Sequence, residues 1–379
     1  MKYIIETERT HLFDVNIIIT MNVKLENELP FELLKTAYEK ACALHEVLLS
    51  KVIIESSGEA FYVDNTAPQN SFCKTDLSLA ELISENQKRR FRIEDGEFMR
   101  VFYSPDGLVF MMHHLGGDGK SLLYFIETFM KCLAGKETAF VPFKNLTLEN
   151  LPAETRVSGL YKMLLKSWNK SWNKNGNRQK KIFTFEDLEK AYSDFWGEHK
   201  TKLEIKKYEA NELSDLLAAA RSAGVSLTAY LITQLAKESS VKTDIGLAVD
   251  GRLDKNRAMG NQATGISIQY KYDDKKSFEE NVRVVHSLMK QKLSDENNRY
   301  FFLKFMGMMD STLKDSLNLE HTGYYHSKTS AKVAQMLGYG NYFYSADYFK
   351  RKTRYRNCDC WQCYDCGSSG LRKIKSKAP

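Results

Sequence analysis

Two adjacent histidines followed by an aspartate stand out as residues that could do chemistry. They lie in "MMHHLGGDGKS", Met111 to Ser121, after an apolar run typical of a strand. A neutral imidazole, with an ordinary pKa of about 6.5, can take a proton from a hydroxyl or an amine near neutral pH. The two glycines between His114 and Asp118 leave room for a substrate beside the ring. The stretch therefore favours proton transfer.

Other chemistry fits this stretch less well. Neighbouring strand residues point to opposite faces, so His113 and His114 cannot easily bind one ion, and a zinc site needs further ligands. The glycine spacing is not that of a phosphate-binding loop, and no Gly-x-Ser-x-Gly turn is present to activate Ser121. Both histidines could instead be structural: buried at a strand end with their hydrogen bonds satisfied and no role in catalysis.

Composition limits the classes of function. The chain has 379 residues, 43% hydrophobic and 27% charged, a size and composition typical of a globular protein with two lobes. No apolar run approaches the ~20 residues of a membrane span, and the N-terminus lacks the apolar stretch of a secretion signal. We therefore expect a cytoplasmic protein. A formal charge of +7 is too modest to indicate nucleic-acid binding.

A strand, a tight loop and a helix must position the histidines. "SPDGLVFMMHH" predicts a turn and a strand that ends at the histidines, and "SLLYFIETFMKCLAGK" predicts an amphipathic helix. Upstream we predict a strand from Phe13 to Leu25, a helix from Phe31 to Leu49, a hairpin and a second helix. Downstream we predict a strand from His199 to Ala210, two helices, two strands around a loop and an amphipathic helix. Both halves thus predict a mixed α/β (α+β) fold.

Residues Gly159 to Lys181 change in composition towards Lys, Asn and Trp, and we predict the connection between the lobes there. Read as a helix, this segment has a basic stripe beside an aromatic one that includes Trp168 and Trp172. One interpretation is a docking surface for an acidic carrier protein or an anionic membrane; the favoured one is a solvated connector whose aromatic side packs on the lobes. The basic stripe is Lys162, Lys166, Lys170, Lys174 and Arg178.

The C-terminus contains a second group of reactive side chains, in "CDCWQCYDC". Four thiols within nine residues could hold zinc or an iron–sulfur cluster. However, no second pair of cysteines or histidines lies at the usual distance, and a ring of nine residues around one ion is cramped. A further interpretation is that this basic, poorly periodic end is not the native reading frame. The four residues are Cys358, Cys360, Cys363 and Cys366.

The pattern His-His-x-x-x-Asp-Gly-x-Ser resembles the signature of the condensation-domain family in the chloramphenicol acetyltransferase-like superfamily. "FRIEDGEFMRVFY" is similar to the family's approach to the motif strand, and His45 fills the place of a common histidine in its early helix. "AGVSLTAYLITQLAKE" is similar to a buried helix of the second lobe. "GLAVDGRLDKNRAMGNQATGISI" resembles the family's Gly-Arg segment through Gly251, Arg252 and Gly260. The resemblance spans roughly Thr10 to Leu293.

The resemblance implies two chloramphenicol acetyltransferase-like αβ lobes in a V, with a tunnel between them. We expect an N-terminal lobe over residues 1–155 with the motif, a basic connector over 156–182, and a C-terminal lobe over 183–379 with an atypical cysteine-rich end. The chain departs from the family after about Asn318, where the closing strands cannot be aligned.

The resemblance also implies the roles of the site residues. His113, His114, Asp118 and Gly119 would form the catalytic motif, with His114 positioning or deprotonating the acceptor. Asp118 would be structural, paired with Arg252 from the second lobe, and Ser121 would support the start of the helix. Substrate contacts would involve the segment that carries Gly260 and Asn261.

The function implied is acyl transfer from a thioester, either acyl-CoA or acyl-phosphopantetheine, to a small-molecule hydroxyl or amine. The thioester would be a co-substrate, and no bound cofactor is expected. A carrier protein is a possible partner, nucleic acid is not, and membrane association is possible without being favoured. Two alternatives remain: condensation-type amide-bond formation between carrier-bound substrates, and a catalytically inactive two-lobed scaffold.

Overall fold

The computed structural model describes residues 1–174, 181–200, 209–238 and 242–337, and strands and helices mix through both halves of these ranges. The predicted α/β class is therefore confirmed. The four C-terminal cysteines, Arg178 and most of the strand predicted from His199 to Ala210 lie outside the described residues.

Three sheets form in the described part of the chain. The motif strand β7 pairs antiparallel with β2 and β6, and β5 adds in parallel to β6, giving the order β2-β7-β6-β5. A smaller antiparallel sheet has the order β1-β4-β3, and β8 and β9 form a hairpin in the second half. The strands are β1 (Lys2–Ile4), β2 (Ile18–Val23), β3 (Ser50–Ile54), β4 (Ala60–Asp64), β5 (Ser71–Lys74), β6 (Met99–Ser104), β7 (Gly107–His113), β8 (Thr243–Asp250) and β9 (Ala263–Tyr270).

Helices cover the sheets. In the first half, α1 and α3 pack on each other and on the four-stranded sheet. In the second half, α7 and α8 bury the apolar face of the β8–β9 hairpin. The helices are α1 (Phe31–Ala43), α2 (Leu79–Gln87), α3 (Gly119–Leu133), α4 (Gly159–Lys174), α5 (Phe185–Glu198), α6 (Ala210–Ser222), α7 (Leu227–Lys237), α8 (Phe278–Ser294), α9 (Glu296–Gly307), α10 (Ser311–His321) and α11 (Lys328–Leu337).

The predicted helix from Phe31 to Leu49 is shorter in the structure. α1 ends at Ala43, and His45 has an extended backbone. The reason is tertiary pairing: the N–H of Val141 donates to the carbonyl of Leu44 at 2.7 Å, and the N–H of Glu46 donates to the carbonyl of Val141 at 3.1 Å. These bonds replace the next turn of the helix, a case of tertiary contacts overriding helix propensity.

The predicted connector forms the helix α4, and its aromatic side packs inward as favoured. Trp172 is fully buried, and its indole N–H donates to the hydroxyl of Thr312 at 2.8 Å. Lys162, Lys166 and Lys170 are exposed. The docking role of this basic surface stays a prediction.

Residues beyond the predicted connector also contribute to the first core. In α5, the indole N–H of Trp196 donates to the carbonyl of Val15 at 2.8 Å, and Leu188 joins the core cluster of the first half. The predicted lobe boundaries and the V shape stay predictions.

Across the described ranges, no single helix is long and apolar enough to cross a membrane. Only α6 and α7 taken together meet the requirements of length and composition, and that pair is bent by 97°.

Candidate active site

The motif occupies the end of β7, a short turn and the start of α3. The 3-10 turn His114–Gly116 follows the strand, and Asp118 caps α3 through its side chain. Gly117, between them, has φ +142°, and a Cβ atom there would lie 2.6 Å from the Cβ of Ser121. Glycine is therefore required for this tight turn. Gly119, the first residue of α3, is buried.

His113 is a core residue. It is 5% exposed, lies edge-on to Phe91, and its Nδ1 accepts a hydrogen bond from the N–H of Leu115 at 3.1 Å. Burial, together with the nearby His114 and arginines, lowers the pKa of His113 to about 3. The ring is therefore neutral at physiological pH and holds the turn, so we leave His113 out of the proposed chemistry.

His114 points the other way and is half-buried. Its Nδ1 lies 2.7 Å from Oδ1 of Asn261, while Nδ2 of Asn261 donates to the carbonyl of His114 at 2.6 Å. Because an amide oxygen can only accept, Nδ1 of His114 carries the hydrogen. In the neutral ring, Nε2 then holds the lone pair and is the nitrogen that can act as a base.

A third histidine covers one face of the His114 ring. His11 stacks on it with a centroid distance of 4.2 Å and an interplanar angle of 25°. Burial, and then the two motif histidines, lowers the pKa of His11 well below its ordinary value, so this ring is neutral as well. The sequence alone carries no signal for His11, which lies in a short N-terminal 3-10 turn.

Asp118 accepts four hydrogen bonds. They come from the N–H of Ser121 at 2.8 Å, the hydroxyl of Ser121 at 3.0 Å, the guanidinium of Arg252 at 3.0 Å and the N–H of Gln262 at 3.0 Å. The side chains of Asp118 and Arg252 are 1% and 3% exposed. The expected ion pair between them is therefore present and buried, and it joins the motif to the second half of the chain.

Gly260 and Asn261 support the motif from the second half. The carbonyl of Gly260 accepts from the N–H of Asp118 at 3.3 Å, and it lies 2.9 Å from the hydroxyl of Ser121, whose one hydrogen it shares with the carboxylate of Asp118. Gly260 has φ +142°, and a Cβ there would overlap the carbonyl of Lys144. In the structure Gly260 holds the start of α3, and Asn261 holds the imidazole of His114. Their contact with a substrate stays a prediction.

The described residues contain no group of three or more His, Cys, Asp or Glu side chains arranged to hold a metal ion. The zinc prediction for the C-terminal cysteines lies outside them and stays a prediction.

No family model and no curated protein matches the chain. Solved structures do. The first condensation domain of the calcium-dependent antibiotic synthetase, in complex with substrate analogue 3a, matches with a TM-score of 0.52 at 14% identity, over 77% of this chain and 72% of that one. Its complex with analogue 2a gives 0.52 at 12% identity, over 78% and 75%. The chain has the condensation-domain fold.

A four-domain nonribosomal peptide synthetase bound to AMP and glycine also matches, with a TM-score of 0.51 at 13% identity, over 81% of this chain and 25% of that one. At these identities the likeness shows the fold. Within the condensation-domain fold, the geometry of this chain provides one oriented imidazole whose Nε2 is free of any hydrogen bond to the described residues.

Proposed function

We propose that this protein is an acyltransferase of the condensation type. It would join an acyl or peptidyl group, held as a thioester on a phosphopantetheinyl carrier, to an amine or a hydroxyl. The observation that supports this most is the His114 imidazole, which Asn261 fixes with Nδ1 protonated and Nε2 available as a base.

The reaction needs only proton movement at one nitrogen. Nε2 of His114 takes the proton of the acceptor as the acceptor attacks the thioester carbonyl. The tetrahedral intermediate collapses, the C–S bond breaks, and the thiolate receives the proton back from the imidazolium. A general base of this kind contributes roughly 100- to 10,000-fold to the rate.

The donor is proposed to be carrier-bound rather than free. The similar structures are a condensation domain of an antibiotic synthetase and a nonribosomal peptide synthetase, and their names favour amide-bond formation between carrier-bound substrates. Transfer from free acyl-CoA, one of the two thioester donors that we expected, becomes the second candidate. Absence of a bound cofactor and a cytoplasmic location remain predictions.

Thiol release and product mass test the proposal. Wild type is assayed with acyl-phosphopantetheinyl carrier and with a panel of acyl-CoAs, each with amine and alcohol acceptors. We expect turnover with the carrier-bound donor, and a rate lower by roughly 100- to 10,000-fold for His114→Ala. His326→Ala is the matched control because its imidazole is exposed and lies on a helix-end loop.

Equal rates for wild type and His114→Ala would contradict the role of this base. Binding of the loaded carrier without turnover by any variant would instead favour the catalytically inactive scaffold.

A further inference from the structure

A buried carboxyl group lies beside the candidate site without a role in the chemistry proposed above. Glu8 is 3% exposed and precedes the short turn that carries His11. It forms no ion pair with another described residue; its partners include the hydroxyl of Thr7 at 3.2 Å, the side-chain amide of Asn145 and the backbone N–H groups of Glu6 and Glu8. Burying a carboxyl group without an ion pair costs free energy, which hydrogen bonds to that group can offset.

The hydrogen bonds of Glu8 continue to His114. Nδ2 of Asn145 donates to Oε1 of Glu8, and Oδ1 of Asn145 accepts from the backbone N–H of Asn261 at 2.6 Å. The side chain of Asn261 then contacts Nδ1 and the carbonyl of His114, at 2.7 and 2.6 Å. Each amide in this series has its orientation fixed from both sides.

We propose that Glu8 is a positioning residue for His114: by accepting from Asn145, it fixes Asn261 and with it the imidazole tautomer that leaves Nε2 free. This inference rests on the proposed function for its effect on turnover. Its structural part, the control of the tautomer, holds independently of any reaction.

The series orients groups and does not conduct protons, because it passes through the backbone N–H of Asn261. Removing the acceptor for Asn145 leaves a buried N–H₂ group unpaired, which favours reorientation of that amide. The N–H of Asn261 would then face a donor, and the loop that holds His114 would shift.

The surroundings of Glu8 accommodate both of its protonation states. Burial raises the pKa of Glu8 to about 7, against the opposing effect of hydrogen bonds from its own backbone N–H, from Thr7 and from the backbone of Glu6, and of Lys314 on α10; Tyr62 on β4 also faces the carboxyl group. When ionised, Glu8 accepts from Thr7 through Oε2. When protonated, Oε2–H can donate to Thr7, whose own hydroxyl lies within reach of the Leu146 carbonyl. Oε1 therefore accepts from Asn145 in either state.

Two conservative variants separate the effect of side-chain length from that of charge. Glu8→Gln keeps an oxygen within hydrogen-bond distance of Asn145 and removes the charge, whereas Glu8→Asp keeps the charge and shortens the side chain by one methylene group. Glu6→Asp is the matched control, because the side chain of Glu6 accepts from the N–H of Leu148 in the same region and only its unchanged backbone contacts this series.

The readout is the ¹⁵N spectrum of histidine-labelled protein, with His114 assigned among the eight histidines by a His114→Gln variant. We expect the Nδ1–H tautomer in wild type, Glu8→Gln and Glu6→Asp, and a mixture of tautomers in Glu8→Asp. For turnover we expect kcat to fall roughly 10- to 100-fold in Glu8→Asp with KM unchanged, and to change by about threefold at most in Glu8→Gln.

An unchanged tautomer in folded Glu8→Asp would overturn the proposal, and so would its loss in folded Glu8→Gln. If thermal melting shows that Glu8→Asp does not fold, the Glu8→Gln spectrum decides alone. A wild type with the expected tautomer but without turnover would overturn the proposed function and leave this positioning role intact.

Discussion

At the scale of single residues, two adjacent histidines have opposite surroundings. His113 is enclosed in the core and holds the turn, whereas His114 is half-buried and keeps one ring nitrogen free. Asp118 has a third kind of environment, with four donors and almost no solvent. One motif therefore combines a turn support, a candidate base and an ion pair that joins distant segments.

Asp118→Asn should destabilise the fold more than its small size change suggests. The new amide would place a donor against the N–H of Gln262 and would leave Arg252 with Asp250 as its one carboxylate. We expect the free energy of unfolding to fall by about 3 kcal/mol, because Arg252 loses its buried partner and keeps only the 36% exposed carboxylate of Asp250, while the N–H of Gln262 faces a donor. Urea denaturation measures this loss.

Asp250→Asn is the control for that variant. Asp250 contacts the same guanidinium at 3.0 Å, but its side chain is 36% exposed, so we expect a loss of about 1 kcal/mol or less. Equal losses for the two variants would contradict the structural role given to Asp118.

The sequence alone identified the motif residues, but it did not identify the residues that orient them. Strand alternation predicted that His113 and His114 diverge, and the resemblance predicted the ion pair of Asp118 with Arg252. His11, Asn145 and Glu8 are ordinary residue types in ordinary patterns. These residues come close to His114 only because the fold brings together segments that are more than 100 residues apart in the chain.

At the scale of elements, the site depends on one loop that packs between the start of a helix and a second loop. The segment around Gly260 lies between the start of α3 and the segment around Asn145, where Lys144 N–H donates to the carbonyl of Met259 at 3.0 Å and Leu146 N–H donates to that of Asn261 at 3.0 Å. Gly260→Ala should displace this loop, because its φ of +142° and the nearby Lys144 carbonyl leave no place for a methyl group.

For Gly260→Ala we expect a loss of about 2 kcal/mol or more in the free energy of unfolding, together with lower turnover as Asn261 moves from His114. Gly246→Ala on β8 is the control, since a Cβ there meets no atom within 4 Å. Denaturation and the thiol-release assay measure the two effects. Full stability and full turnover in Gly260→Ala would show that the loop is not required.

Helices and strands with a strong hydrophobic periodicity were predictable from the sequence, whereas element ends that depend on tertiary contacts were not. The helix α3 and the strands β6 and β7 form where the apolar pattern placed them. The end of α1 depends on Val141, about a hundred residues away, which periodicity cannot show. The helices α9 to α11 were not predicted at all, because their polar residues, such as Lys314 and Asp315 in α10, are buried by partners elsewhere in the chain.

At the scale of the whole molecule, several titratable groups are buried in the neutral form, and their effects on stability differ in sign. Burial lowers the pKa of His113 to about 3 and those of His45 and His321 to about 4. Each contributes stability that is present above its unfolded pKa of about 6.5 and is lost as pH falls towards its folded value. Glu8, raised to about 7, acts in the opposite direction between pH 7 and about 4.5.

His11, whose pKa burial also lowers well below its ordinary value, acts in the same direction as these three histidines. Four histidines against one carboxyl group leave a net uptake of about three protons on unfolding between pH 6 and 5, so we expect the free energy of unfolding to fall by about 4 kcal/mol per pH unit in that window. Urea denaturation at pH 8, 6 and 5 measures this slope. A flat profile would mean that the histidines are hydrated in the native state.

His45 allows the same argument to be tested at one position. It is fully buried beside Phe125, and neither ring nitrogen has a hydrogen-bond partner in the described part of the chain. His45→Leu removes two unpaired polar atoms at similar volume, so we expect equal or higher stability at pH 8. It also removes one proton-binding group, so the slope between pH 6 and 5 should fall by about 1.4 kcal/mol per pH unit. An unchanged slope in His45→Leu would mean that His45 is protonated inside the folded protein, so that water reaches the first core at this position.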